Sequence, residues 1–149
     1  MNRVIRVIST IMILPFVICP VFGYDSGGDI AQPFASHYIE SCDARMVIDG
    51  GGKIIVAFSI KGEMQMESIG AVSIIIMESS DNSTFTTVAS FRAESVSSLM
   101  GHNRLSYSSS ITYQGDPGKY YKATVTLRVT TSSGETETRY VWTGSKQAT

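Results

Sequence analysis

From position 53 onward the chain alternates apolar and polar residues with period two, in runs broken by short Gly-, Ser-, Asp- and Pro-rich stretches. No other feature constrains the fold as much. Successive side chains of a strand point to opposite faces, so such a run buries one face and wets the other. Residues 53–61 set Ile54, Val56, Phe58 and Ile60 on one side, with Ser59 and two lysines on the other. Residues 45–48 form an earlier run, and Asp49-Gly50-Gly51-Gly52 joins the two as a hairpin. In residues 71–77, Val72, Ile74 and Ile76 are expected to face inward. Residues 79–83 are a turn cluster. In residues 84–92 the spacing of Phe85, Val88 and Phe91 departs from two, which predicts a bulge.

Further along, Leu105, Tyr107, Ile111 and Tyr113 alternate with serines and Thr112, and Tyr121, Ala123, Val125, Leu127 and Val129 alternate with Lys122, Thr124, Thr126 and Arg128. Thr138, Tyr140 and Trp142 alternate with Glu137, Arg139 and Val141. Met64, Met66 and Ile69 are assigned to a loop capping one end of the core. No window shows a 3.6-residue period, and residues 95–100 hold one helical turn at most. About seven strands at roughly ten-residue spacing predict an all-β antiparallel sandwich. A small barrel is the alternative, marked by first and last strands closing on each other.

The first 23 residues have a different character. Arg3 and Arg6 precede an apolar run over residues 7–22, and Val21-Phe22-Gly23 offers a cleavage site, the layout of a secretory signal. Pro15 and Pro20 interrupt the run and disfavour an uncleaved spanning helix. Ile18, rather than a small residue, precedes Cys19, which argues against lipid attachment. The expected organisation is signal peptide 1–23, flexible leader 24–35, β domain 36–144 and short tail 145–149. The protein is expected to be secreted, with no membrane association after cleavage.

Of the 149 residues, 126 remain once 23 leave with the signal, enough for one domain with its own core. Arg3 and Arg6 also leave, so ten basic residues face 13 acidic ones at a net charge of −3. No basic cluster is present, and nucleic acid is not an expected partner. Only Cys42 remains, which excludes an internal disulfide. A disulfide-free exported protein fits a bacterial source better than a eukaryotic one.

Chemistry-bearing patterns are sparse. His37 and His102 are the only histidines, and neither sits in a zinc-ligand spacing. No Gly-x-Ser-x-Gly elbow occurs, and the serines of residues 106–110 read as a wet outer face. Glu135 and Glu137 fall on one side beside Arg139 and read as a solvated edge rather than a glycosidase pair. Asp81-Asn82-Ser83 lacks the acids of a calcium loop. No metal, cofactor or catalytic residue is expected. The candidate binding residues are Met100, His102, Asn103 and Arg104, at the end of the longest irregular stretch, where a thioether, an imidazole, an amide and a guanidinium concentrate. The competing reading has Leu99 and Met100 tucked over the end of the core.

Pro117-Gly118-Lys119-Tyr120-Tyr121 resembles the start of the sixth strand of fibronectin type III domains, where a tyrosine three residues after the glycine bonds back across the sheet corner. The resemblance implies a fibronectin type III-like or immunoglobulin-like sandwich with Tyr121 as the structural tyrosine. An immunoglobulin-style register through Tyr120 would put Lys122 in the core. Trp142 is assigned a structural role as well. Over residues 36–143 the chain also resembles a family of small secreted proteins of Gram-positive bacteria with no assigned function. The carrying segments are Gly70-Ala71-Val72-Ser73-Ile74, Glu78-Ser79-Ser80-Asp81, Met100-Gly101-His102-Asn103, Gly118-Lys119-Tyr120-Tyr121-Lys122-Ala123 and Arg139-Tyr140-Val141-Trp142-Thr143. That resemblance implies no catalytic residue. The functional expectation is a non-enzymatic extracellular binding or adhesion module whose partner is an extracellular protein or a glycan. The alternatives are a secreted effector or inhibitor acting on a protein target, and a secreted hydrolase.

Overall fold

The computed structural model describes residues 38–149. The segments expected as signal peptide and leader, with Cys19 and His37, lie outside the described residues. The fold is all-β and antiparallel: β1 Ile39–Ile48, β2 Lys53–Ser79, β3 Thr86–Arg92, β4 Met100–Gln114, β5 Tyr120–Thr130, β6 Thr136–Trp142 and β7 Lys146–Gln147. A single 3₁₀ turn, Ser97–Leu99, precedes β4. Among the described residues no helix is long and apolar enough to cross a membrane. The seven strands form one hydrogen-bonded sheet with the path β1-β2-β5-β6, onto which β3 and β4 pair through β2 and β7 through β5.

The strand number matches the sequence expectation, but its partition does not. Residues 53–61 and 71–77, read as two strands around a loop, belong to the single 27-residue strand β2. Residues 145–149, set apart in the sequence as a tail, contribute β7 and the buried Ala148. A straight strand of that length would reach roughly 90 Å, several times the radius of about 13 Å for a domain of this size. So β2 has to bend. Its register shifts against β4 between Lys61 and Met66, and against β5 between Ala71 and Ser73. The first half of β2 lies between β1 and β4. The second half lies between β5 on one side and β3 with the first rungs of β4 on the other.

These shifts correct two expectations. Met64, Met66 and Ile69 are strand residues rather than a loop: Met66 and Ile69 are fully buried, while Met64 is exposed. Val72 falls at the second shift and is only half-buried, so Ala71 takes the inward place ahead of Ile74 and Ile76. An extra residue on one strand flips the parity of everything beyond it. The bulge expected in residues 84–92 is present. Ile76 pairs with Ala89 and Met77 with Thr87, which leaves Val88 as the extra residue.

One core cluster joins Ile54, Val56, Phe58 and Ile60 of β2 to Ala44 and Met46 of β1 and to Tyr121, Ala123, Val125, Leu127 and Val129 of β5. The β5 residues are each at most 1% exposed, in the parity read from the sequence. The Gly50-Gly51-Gly52 hairpin is formed, with φ of 67°, 56° and 78°.

β6 is the clearest departure. The residues that alternate inward are Glu137, Arg139 and Val141, while Tyr140 and Trp142 are 62% and 67% exposed. Trp142, assigned a structural role from the sequence, thus stands at the surface. Glu137 is not a solvated edge residue either. Its carboxylate accepts the backbone N–H groups of Tyr38 and Ile39 at 2.9 and 3.2 Å and pairs with Arg139 at 3.1 Å. Tyr38 Oη also donates to Glu135 at 2.8 Å. The start of β1 is thus pinned to β6 by carboxylates, and no hydrogen-bonded ladder joins the two strands among the described residues.

Candidate functional site

Met100, His102, Asn103 and Arg104 are not a loop. They are the first rungs of β4, with Met100 opposite Gly70, His102 opposite Ser68 and Arg104 opposite Met66. His102, Asn103 and Arg104 are exposed, and Met100 is half-buried. Asn103 has a φ of 52°, a left-handed conformation that asparagine tolerates better than most residues. Its carbonyl accepts from Gln65 Nε2 at 3.0 Å. The Arg104 guanidinium lies 5.8 Å from the centre of the Tyr107 ring. Leu99 is fully buried, as the competing reading has it. The four side chains do not converge on a cavity. A shallow hollow nearby is lined by Gln65, Glu67, Asn103 and Ser132 and takes only Asn103 of the four.

Tyr121 is where the sequence places it. Its ring is fully buried while Tyr120 is half-buried, and its hydroxyl accepts the backbone N–H of Asp116, five residues upstream, at 2.8 Å. The ring packs so closely on Gly115 that a Cβ there would stand 2.7 Å from Tyr121 Cζ. A second partner was not legible in the sequence. The hydroxyl also donates to the Glu78 carboxylate, whose other oxygen takes Lys119 Nζ at 2.6 Å. Burial and then the Glu78 hydrogen bond push the phenol up to about 12. The Lys119 and Tyr121 hydrogen bonds hold Glu78 below the usual carboxylate range. This cluster is a closed structural knot. Lys119 also pairs with the exposed Asp116 carboxylate at 3.1 Å, so each polar side chain of the cluster has a partner within it.

Asp81 plays a local part. Its carboxylate accepts the N–H groups of Thr84 and Ser83 and the hydroxyls of Ser79 and Ser83, and these bonds hold it well below the ordinary range. That is turn chemistry in the segment between β2 and β3. Cys42 is a half-buried free thiol, pushed up by burial. Among the described residues, no group of three or more His, Cys, Asp or Glu side chains is placed to hold a metal ion.

Two outer surfaces stand out, the first on a face expected to be wet and the second unforeseen. The first is a groove of about 330 Å³ on the outer side of the first sheet half. Asp43, Ser59 and Ser108 form one rung across β1, β2 and β4, and Arg45, Ala57 and Ser110 form the next. Small side chains make its floor, in keeping with the wet serine face expected there. The second surface is the outer face of β6 and β5. Trp142 stands opposite Thr124 and Tyr140 opposite Thr126, with Lys122 and Arg128 at either end of that row on β5. Lys122 Nζ lies 4.0 Å over the Phe85 ring. The signal for this face was present, since an aromatic pair two residues apart on an edge strand must be either core or surface. The charged alternative set, Glu137 and Arg139, hid which.

Among known proteins, no family model and no curated sequence matches this chain.

Proposed function

We propose that the protein is an exported, non-enzymatic binding module, and that it binds through the outer face of β6 and β5. The observation that carries this reading is the exposure of Tyr140 and Trp142, side by side on an edge strand. Large aromatics this exposed lose most of the burial energy of about 1.5–3 kcal/mol that a core position would give, and they are the side chains most enriched at the centres of binding surfaces. The basic and apolar N-terminus supports export. The bend of β2 supports a sandwich, with β1, β4 and the first half of β2 in one layer and β3, β5, β6 and the second half in the other. The bond from Asp116 to Tyr121 supports its fibronectin type III-like or immunoglobulin-like character. The likeness to small secreted proteins of Gram-positive bacteria fits the same reading. The secreted protein, screened on glycan and extracellular-protein arrays, should give a ligand whose binding Tyr140→Ala and Trp142→Ala abolish. Silence on both arrays with a folded protein, or a ligand indifferent to both substitutions, would overturn the proposal. Turnover across a hydrolase panel would bring back the enzymatic alternative.

A further inference from the structure

The same outer face has a charge pattern that narrows its ligand. Lys122, Arg128 and Arg92 all project on this side of the sheet. Arg92 lies on the far edge, opposite Ser73, which itself pairs with Thr126. None of the three forms an ion pair among the described residues, whereas Lys53, Lys61, Lys119 and Arg139 each hold a carboxylate. No acidic residue occupies an outward position on β3, β5, β6 or the second half of β2 where these strands pair. In a chain whose overall charge is −1, that is a local excess of positive charge without internal neutralisation.

The geometry is linear. Along β5, Lys122, Thr124, Thr126 and Arg128 share one face, and the two cations are roughly 20 Å apart. Trp142 and Tyr140 stand beside the two middle rungs, about 7 Å from each other. An extended ligand laid along β5 and β6 would meet aromatic rings in the middle, threonine hydroxyls beneath and a cation at each end. Flat aromatic faces accept the C–H face of a pyranose ring, and hydroxyls between them suit sugar hydroxyls. Guanidinium groups pair with carboxylates in a planar, bidentate fashion.

We infer that this face binds a linear polyuronate, a polysaccharide whose pyranose rings carry carboxylates, with Tyr140 and Trp142 stacking on the rings and Lys122, Arg128 and Arg92 pairing with the acid groups. The inference rests on the proposal that this face is the binding surface. A second copy of the chain fits less well, because the floor between the aromatics and Arg92 sets Thr124, Thr126, Ser73 and Ser90 around the single apolar Ile75, and three unneutralised cations of this face would meet their own copies. Single-stranded nucleic acid would also stack on aromatics and pair with cations, and is an outcome the test separates.

The test is calorimetric titration of the full secreted protein with alginate oligomers, dextran oligomers, an oligothymidylate and anionic phospholipid vesicles, at low and at near-physiological salt. Alginate should bind, and more weakly at the higher salt. The Lys122→Gln/Arg128→Gln variant should lose about tenfold in alginate affinity, as expected for two exposed ion pairs. Arg92→Gln, at an exposed position outside β5, should lose a smaller factor and guards against a folding defect in the double variant. Tyr140→Ala/Trp142→Ala should abolish binding. Equal affinity for dextran and alginate, unchanged by the charge variants but lost with the aromatics, would overturn the polyuronate and leave the binding face standing. Tighter binding of the oligothymidylate or the vesicles would overturn the sugar assignment. No binding of either polysaccharide would overturn this inference, and if the protein and glycan arrays were silent too, the proposed function would fall with it.

Discussion

Replacing Tyr121 with Phe removes one oxygen from the interior and two hydrogen bonds with it. The bond accepted from the Asp116 N–H is a neutral pair, for which a loss of about 0.5–1.5 kcal/mol is typical. The bond donated to Glu78 ends on a carboxylate, for which about 1.5–3 kcal/mol is typical. Glu78 keeps Lys119 as a partner, so it is not stranded. Together these place the destabilisation at roughly 2–4 kcal/mol, larger than a backbone bond alone would give. For a domain of about 110 residues that is a fall of roughly 10 °C in Tm. Tyr120→Phe is the matched control. Its ring is half-buried and it makes no comparable bond, so it should change stability by less than about 0.5 kcal/mol. Thermal and urea denaturation of the two variants beside the parent measure both numbers. A Tyr120 variant less stable than the Tyr121 variant would refute the parity of β5, and equal effects would refute the corner.

Three further outcomes follow from the same contacts. Glu78 has a folded pKa below its ordinary value of 4.5, so its contribution is present above that pH and is lost as pH falls through the lower folded value. Glu78→Gln should therefore flatten the acid side of the stability curve measured by urea midpoints at neutral pH and at about pH 3, and an unchanged acid decline would contradict this. Gly70→Ala would place a Cβ 2.2 Å from the Leu99 carbonyl oxygen at a φ of 154°, so destabilisation of about 3 kcal/mol or failure to fold is expected. A parent-like urea midpoint would contradict the close approach of β4 to β2 at this position. His102→Ala/Arg104→Ala changes two exposed side chains and should shift stability by less than about 1 kcal/mol while leaving ligand affinity intact. A loss of affinity would return the first rungs of β4 to the binding site.

What could be read from the residues depended on whether local pattern and partner agreed. In β5 they agree. Ala123, Val125, Leu127 and Val129 alternate with polar residues, the strand has neighbours on both sides, and its parity and its tyrosine were legible. The Thr86–Arg92 strand showed its bulge because Val88 breaks an otherwise regular spacing. β2 was not legible as one strand, because Gly62, Gly70 and the charged and amide residues Glu63, Gln65 and Glu67 look like breakers. Pairing with β4 and β5 carries the strand through them, and pairing is non-local information. Met100 to Arg104 read as a loop for the same reason, with Gly101 and the left-handed Asn103 interrupting the pattern. β6 misled in the opposite direction. Its apolar set suggested a core face, but the core side is occupied by Glu137 and Arg139, which are satisfied by the backbone of Tyr38 and Ile39 and by each other. A half-buried carboxylate with partners from 98 and 99 residues away leaves no local trace. The aromatic face therefore emerged only from the three-dimensional arrangement.

Trp142 is the only tryptophan in the chain and is 67% exposed on the proposed face, so its fluorescence reports on that face alone. Titrating the protein with a glycan or protein ligand found on the arrays, while following emission and acrylamide quenching, tests the central claim directly. Binding through this face predicts a blue shift and protection from the quencher, both saturating with the calorimetric binding curve. Saturable binding by calorimetry with unchanged Trp142 emission and unchanged quenching would contradict it.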